Sequence, residues 1–295
     1  MYWQTTRWQI DLNKPQVMGI VNVTPNSFSD GGQHATTASA LQHCEALISQ
    51  GVDILDIGAE STRPGVAPVS EALELERLLP VVREAVRLGV PVSIDTYKPA
   101  VMQAMLDLGV DIINDIWALR WLDPARPLIT GAGVVSQYPG CGVCLMHMHG
   151  EPQTMQVHPM AGDIVPEVLA FLSDAADKLR AHGLTKAQIA LDPGVGFGKT
   201  VAQNFSLLAR QTEFLALGYP LLLGWSRKSS LAAMGAPLPG LPAGNAAAVH
   251  ERMLPSVAAA LLAVERGARI VRVHDVGPTV QALKVWCSAT QIETR

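Results

Sequence analysis

An α/β fold of the (β/α)8 type, a TIM barrel in a single domain, is what this sequence predicts, and three observations carry the prediction. Short apolar runs alternate with amphipathic stretches eight times along 295 residues. The runs are continuously apolar, as strands covered by helices must be. Helix-stop-to-strand transitions recur as Gly-Val-Asp at 51–53, Gly-Val-Pro at 89–91 and Gly-Val-Asp at 109–111, each beginning with the residue that ends helices most readily. An open doubly wound sheet would alternate similarly, but its nucleotide fingerprint is missing, which favours the barrel.

The elements follow in order. A short N-terminal segment, 1–16, is expected to cap the barrel bottom with Trp3 and Trp8. The first barrel strand is 17–22 (VMGIVN), with a helix over 38–50. The second, 53–57 (DILDI), leads to 71–88, where Leu73, Leu75, Leu78, Leu79, Val82, Ala85, Val86 and Leu88 recur at helical spacing against Glu and Arg. Strands 91–94 (PVSI) and 111–114 (DIIN) bracket a helix over 99–108. The segment 120–141 should be helix four, but Pro124, Pro127, Pro139 and its glycines spoil it. Strand 142–146 (GVCLM) precedes a helix at 163–182, strand 188–191 (QIAL) one at 203–217, and strand 220–223 (PLLL) one at 245–266. Strand 269–273 (RIVRV) and a helix at about 277–286 close the series.

Composition narrows the function. Apolar residues make up 48% and charged residues 16%, enough for a sizeable core. A net charge of −4 without a long basic stretch argues against nucleic acid as the main partner. The start, MYWQTTRWQIDLNK, has no long apolar segment of the kind a secretory signal needs, and no apolar run is long enough to span a membrane, so a cytoplasmic location is expected. Four cysteines (Cys44, Cys141, Cys144, Cys287) are too few for a disulfide scaffold. Cys141, Cys144, His147 and His149 could be written as a metal set. They lie on or beside one strand whose side chains alternate between faces, so buried thiols are the better reading.

In a barrel, chemistry belongs at the C-terminal ends of the strands. Those ends carry Asn22, Asp95, Asn114, Met146, Asp192, Gly224, Arg272 and His274. Any one Asp or Asn could be a helix cap; several converging on one mouth suit a flat, amidine-bearing heterocycle, whose paired N–H groups a carboxylate accepts. The turn LDPGVGFGKT (191–200) looks like a phosphate cradle. However, Pro193 stands where a Walker A loop needs glycine, and the spacing of Gly194, Gly196 and Gly198 is not the dinucleotide one. Two polar loops, 24–37 with Phe28 and 58–69 with Ser61, Thr62 and Arg63, are expected to be mobile lids over the mouth. Arg63, Arg272 and His274 could form a cationic rim for a phosphate-like group, and SRKSS at 226–230 adds a lysine and hydroxyls.

Eight segments in order resemble the dihydropteroate synthase family: MGIVNVTPNSFSDGG (18–32), DIGAESTRPG (56–65), SIDTYKP (93–99), INDI (113–116), LMHMHGEPQTMQ (145–156), LDPGVGFGKT (191–200), GWSRKS (224–229) and RVHDV (272–276). The resemblance runs over nearly the whole chain and implies the same barrel. It implies condensation of 6-hydroxymethyl-7,8-dihydropterin diphosphate with 4-aminobenzoate to 7,8-dihydropteroate and pyrophosphate, a sulfonamide-sensitive step of folate biosynthesis in the family. By that resemblance Asp95, Asn114, Asp192 and Lys228 bind the pterin, Met146 and Phe197 pack on the ligands, and Gly224 allows close approach. Arg272 stacks on the ring, while Asn22, Thr62, Arg63, Arg272 and His274 hold the diphosphate, with Asn22 also a ligand of Mg2+. Phe28, Pro64, Lys228 and Ser229 form the aminobenzoate slot, and the family expectation is a homodimer through the late helices. The 120–141 segment and the bulk of Trp225 depart from the expected pattern without removing a matched residue. Two competing readings are a pterin-barrel methyltransferase and a pterin-binding paralogue without turnover. The first would not need Ser61-Thr62-Arg63-Pro64 or the Ser-Arg-Lys-Ser segment, and the matched site residues argue against the second.

Overall fold

The computed structural model describes residues 1–24, 32–62, 65–233 and 252–290. Eight parallel strands form the barrel: β3 (Gln16–Asn22), β4 (Ile54–Gly58), β5 (Val92–Asp95), β6 (Ile112–Asp115), β7 (Gly142–Met146), β8 (Ile189–Asp192), β9 (Leu222–Leu223) and β10 (Ile270–Val273). They pair in the order β8-β7-β6-β5-β4-β3-β10-β9. A parallel bridge between Leu191 and Leu221 joins the two ends of that order. The fold is the predicted (β/α)8 barrel.

The helices are α1 (Gly32–Ser49), α2 (Glu71–Ala85), α3 (Pro99–Asp107), α4 (Gly131–Val135), α5 (Val165–Ala181), α6 (Val201–Ala209), α7 (Ser229–Ala232), α8 (Met253–Glu265) and α9 (Val276–Ala289). Their caps follow from sequence: the Ser70 side chain accepts the Leu73 N–H at the start of α2, and Thr200 with Gln203 forms a reciprocal box at the start of α6. Two helix expectations need correction. Helix α1 begins at Gly32, inside the polar stretch read as the loop 24–37, because a first turn needs no apolar face to be helical. The helix expected over 203–217 is an α-helix to Ala209 followed by a 3-10 stretch, Gln211–Leu217. Helix four shrinks to five residues capped by Thr130; the preceding chain places Leu128 in solvent at 95% exposure, so no apolar stripe extends the helix. Residues 245–251 of the seventh expected helix lie outside the described residues.

The main core fills the layer between strands and helices, where Leu55, Ile57, Val81, Ile94, Val143, Leu172, Leu191 and Val271 are all buried. A second core plugs the bottom of the barrel. Met18, Ile54, Ile112, Cys144, Ala190, Leu222 and Ile270, one from each of seven strands, meet Trp3, Ile10 and Leu12. The last three come from the antiparallel hairpin of β1 (Tyr2–Gln4) and β2 (Gln9–Asp11), which supplies the bottom cap. Trp3 is fully buried and donates its indole N–H to the Gln188 carbonyl at 2.9 Å. Trp8, expected beside it, is 37% exposed, because Trp3 and Ile10 face the barrel from opposite hairpin strands and Trp8 lies at the turn. All four cysteines are free and buried. Among the described residues no helix is long and apolar enough to cross a membrane.

Candidate active site

The site follows from the plug by the two-residue period of a strand. Two positions above the apolar plug, the lumen-facing residues become Ile20, Asp56, Asn114, Met146, Asp192, Gly224 and Arg272. β5 contributes Ser93 and Asp95, the latter in register with Asn114, while Met146 is in register with Asp192. Two positions higher stand Asn22, Gly58, Ser226 and His274. The lumen therefore turns from wholly apolar to largely polar over that step, toward the C-terminal mouth.

Arg272 organises the polar layer. Its Nε donates to Asp56 Oδ2 and its Nη2 to Asp95 Oδ2, both at 2.6 Å. Asp56 also accepts from Ser93 Oγ at 2.6 Å and from Asn114 Nδ2 at 3.2 Å, so one buried carboxylate ties β4 to β5, β6 and β10. Burial raises the pKa of Asp95, and the Arg272 charge opposes that rise. Asp192 is held up to about 6, again chiefly by burial, although it accepts the Gly194 N–H at 2.7 Å. The Lys228 ammonium lies 4.3 Å from the centre of the Phe197 ring, and burial lowers its pKa to about 8 against the pull of Asp192. Phe197 belongs to an apolar cluster with Met146, Met148, Met155, Tyr97 and Ile116. An aromatic and methionine wall thus faces a floor of carboxylates, amide and cations, an arrangement suited to a flat, hydrogen-bonding heterocycle.

The glycine turn after β8 serves this wall. Gly194, Gly196 and Gly198 all have positive φ. A Cβ on Gly194 would stand 1.8 Å from the His147 carbonyl oxygen, and one on Gly198 would stand 2.3 Å from that of His149. The glycines let the turn lie directly on the backbone that follows β7, which is why the sequence resembles a phosphate loop without its spacing.

The structure brings Asp95, Asn114, Met146, Asp192, Phe197, Lys228 and Arg272 into this one layer and wall. A Cβ on Gly224 would meet open space within 4 Å, so the site is roomy there. His274 Nδ1 lies 2.9 Å from Ser226 Oγ at the rim, and Asn22 ends β3 exposed. Thr62 is half-buried, and Ser229 opens α7 exposed to solvent. Phe28, Arg63 and Pro64 lie outside the described residues. Sequence reasoning missed Asp56, which sits inside its strand with Gly58 still to come; the signal was an aspartate in the apolar run DILDI. It also missed a buried charge cluster below loop 58–69. Lys98 pairs with both Glu60 and Glu74, Tyr97 donates to Glu60 at 2.9 Å, and Thr96 donates to Glu74 at 2.6 Å. Opposite charges in two of the matched motifs, DIGAESTRPG and SIDTYKP, were its signal. Cys141 joins the outer core and Cys144 the plug, so the two thiols lie on different sides of the barrel wall.

Comparison with known proteins agrees with this geometry. The family model described as "Pterin binding enzyme" matches residues 18–274. The dihydropteroate synthase of Neisseria meningitidis serogroup C is 45% identical over 287 residues, covering 96% of each chain. The Burkholderia cenocepacia dihydropteroate synthase complexed with 7,8-dihydropteroate superposes with a TM-score of 0.83 at 44% identity, covering 98% of this chain and 96% of that one. The Xanthomonas albilineans dihydropteroate synthase with 4-aminobenzoic acid gives a TM-score of 0.83 at 42% identity, covering 97% and 96%. At that identity and coverage, the chain belongs to the dihydropteroate synthase family of pterin binding enzymes.

Proposed function

We propose that this chain joins 6-hydroxymethyl-7,8-dihydropterin diphosphate to 4-aminobenzoate, forming 7,8-dihydropteroate and pyrophosphate. The observation that carries this reading is the polar layer of Asp56, Asp95, Asn114, Asp192 and Arg272 above the apolar plug, flanked by Phe197 and Lys228. The pterin ring lies on that layer. Asp192 and Asp95 accept its N–H groups, Asn114 and Lys228 complete its hydrogen bonding, and Met146 and Phe197 pack on it. The Arg272 guanidinium, fixed by Asp56 and Asp95, presents its face to the ring.

The reaction breaks the C–O bond between the pterin methylene and the diphosphate, the electron pair leaving with the diphosphate. C–O cleavage runs ahead of attack, giving a pterin cation stabilised by resonance. The aniline lone pair of aminobenzoate then forms the new C–N bond, and its nitrogen sheds one proton. No general base is required, since the aniline is already neutral. Arg63, Arg272 and His274 stabilise the charge that develops on the diphosphate, with Thr62 donating from its hydroxyl. Phe28, Pro64 and Ser229 complete the aminobenzoate slot, which sulfonamides would also occupy.

Mg2+ fits this rim. Asn22, exposed at the end of β3, offers a single amide oxygen at the mouth. Such a sparse donor set suits a hard cation that arrives with diphosphate oxygens and waters. When bound, it supplies charge neutralisation to the leaving group. The exposed Leu254, Leu262 and Val285 on α8 and α9 support a homodimer through these helices, and four free buried thiols suit a reducing cytoplasm. A pyrophosphate-release assay with both substrates and Mg2+ tests the reading: release that requires both supports it. Methyl transfer from methyltetrahydrofolate, or pterin binding without turnover, overturns it.

A further inference from the structure

Lys199 closes the glycine turn after β8 and is only 2% exposed. Its ammonium donates to the Gly194 carbonyl at 2.9 Å and the Phe197 carbonyl at 3.0 Å, and lies 2.9 Å from His147 Nδ1. Three donors thus meet three close acceptors, and none of the three is a carboxylate. For Nδ1 to accept, the His147 ring must be neutral with its hydrogen on Nε2. Burial, and then the Lys199 charge, push the His147 pKa down to about 2. The ring is also held edge-on to Phe171, with centres 4.9 Å apart.

The atoms that Lys199 holds are next to those assigned to the pterin. Gly194, whose carbonyl it grips, donates its N–H to Asp192 Oδ1. Phe197, gripped the same way, carries the ring that faces Lys228 and Met146. His147 in turn donates its backbone N–H to the Asp192 carbonyl at 2.9 Å. We propose that Lys199 is a positioning residue of the pterin site: its ammonium, with neutral His147 as one acceptor, fixes the turn that sets the Asp192 carboxylate and the Phe197 ring. This inference rests on the assignment of those two residues to the pterin.

Charge on Lys199 is essential to that role. A neutral amine has two N–H groups for three acceptors and turns a lone pair toward one of them. Among the charged groups around the pair, Asp192 and Lys228 act on Lys199, and Arg120 and His149 act on His147. Burial outweighs Asp192 and brings the Lys199 pKa down to about 7, so the turn loosens as pH rises through neutrality.

The test is steady-state kinetics of Lys199→Met, which keeps the stem and removes the donors. The expected result at pH 6.5 is a KM for the pterin diphosphate raised about tenfold or more, with the KM for 4-aminobenzoate within about twofold of wild type. The rise in pterin KM between pH 6.5 and 8 should also be smaller than in wild type. A wild-type pterin KM, or an equal rise for both substrates, overturns the proposal. Should the variant not fold, 15N-histidine spectra of the wild-type chain decide, with the His147 signal assigned by its loss in His147→Gln. A neutral Nε2–H ring that persists at pH 5 is expected; an imidazolium at pH 6, or the Nδ1–H tautomer, overturns it. Asp192→Asn separates the two levels of argument: if it binds pterin as wild type does, the site assignment fails, whereas a normal Lys199→Met beside a weakened Asp192→Asn refutes only the role of Lys199.

Discussion

Replacing Asp192 with asparagine should weaken pterin binding while making the free protein more stable. One oxygen of Asp192 accepts the Gly194 N–H at 2.7 Å, and asparagine retains an oxygen for that bond. The other oxygen has no hydrogen-bond partner among the described residues, although the residue is only 7% exposed. An amide there presents N–H to the N–H of the pterin, so a charge-assisted bond is lost. Such bonds contribute about 1.5–3 kcal/mol, or roughly 10- to 150-fold in affinity. The stability effect has the opposite sign. Burial raises the folded pKa of Asp192 from 3.8 to about 6, so ionising it inside the fold is unfavourable. That penalty is absent below the ordinary carboxylate value, grows as pH rises toward 6 and is complete above it. On an order-of-magnitude basis it amounts to about 3 kcal/mol at pH 8. Calorimetric titration with the pterin substrate at pH 8, beside thermal unfolding at pH 8 and pH 4, measures both effects. The expected outcome is a weaker Kd with a higher Tm at pH 8 and little Tm difference at pH 4. Unchanged affinity at pH 8 would remove Asp192 from the pterin site, and a lower Tm there would make it a structural residue instead.

Three further outcomes are expected. Wild-type kcat/KM for the pterin, already declining above neutrality as Lys199 loses its charge, should fall further as pH rises past about 8, where Lys228 loses its charge, and Lys228→Met should be nearly inactive without that second limb; a wild-type profile flat from pH 8 to 9.5 would contradict this. Gly194→Ala would force a Cβ to within 1.8 Å of the His147 carbonyl oxygen at φ +71°, so denaturant titration should show a loss of at least ~2 kcal/mol, together with weakened pterin binding. Aminobenzoate should bind the free protein poorly and gain about 5- to 150-fold in affinity with Mg2+ and pyrophosphate, since the stretches 24–37 and 61–69 are rich in Gly, Ser, Thr and Pro; equal affinity in both titrations would mean a preformed slot.

The barrel is legible in this sequence because its strands are short, mostly apolar and punctuated by glycine, which indicates their number and nearly their bounds. The site is legible to the extent that chemistry sits at strand ends: Asp95, Asn114, Asp192 and Arg272 are found by counting to the end of each run. Asp56 escapes that count because its strand runs on to Gly58, so it lies inside the run although it shares the layer of the others, and its partner Arg272 is 216 residues away with no local pattern to join them. Lys199 escapes for a related reason. Beside Gly198 and Thr200 it reads as the lysine of a phosphate cradle, a reading that the spacing then removes. Its acceptors are carbonyls and a ring nitrogen, groups that every sequence contains and no motif marks. A buried lysine among neutral acceptors becomes visible only when the turn is laid on the backbone after β7, and there its position next to Asp192 and Phe197 gives it a function. The same limit applies to helix four, where Pro124, Pro127 and Pro139 show that a long helix fails, yet not that Trp117 and Trp121 pack against the cluster holding Tyr97 and Phe197. Local pattern specifies the frame; long-range pairing specifies the residues that hold the site in shape.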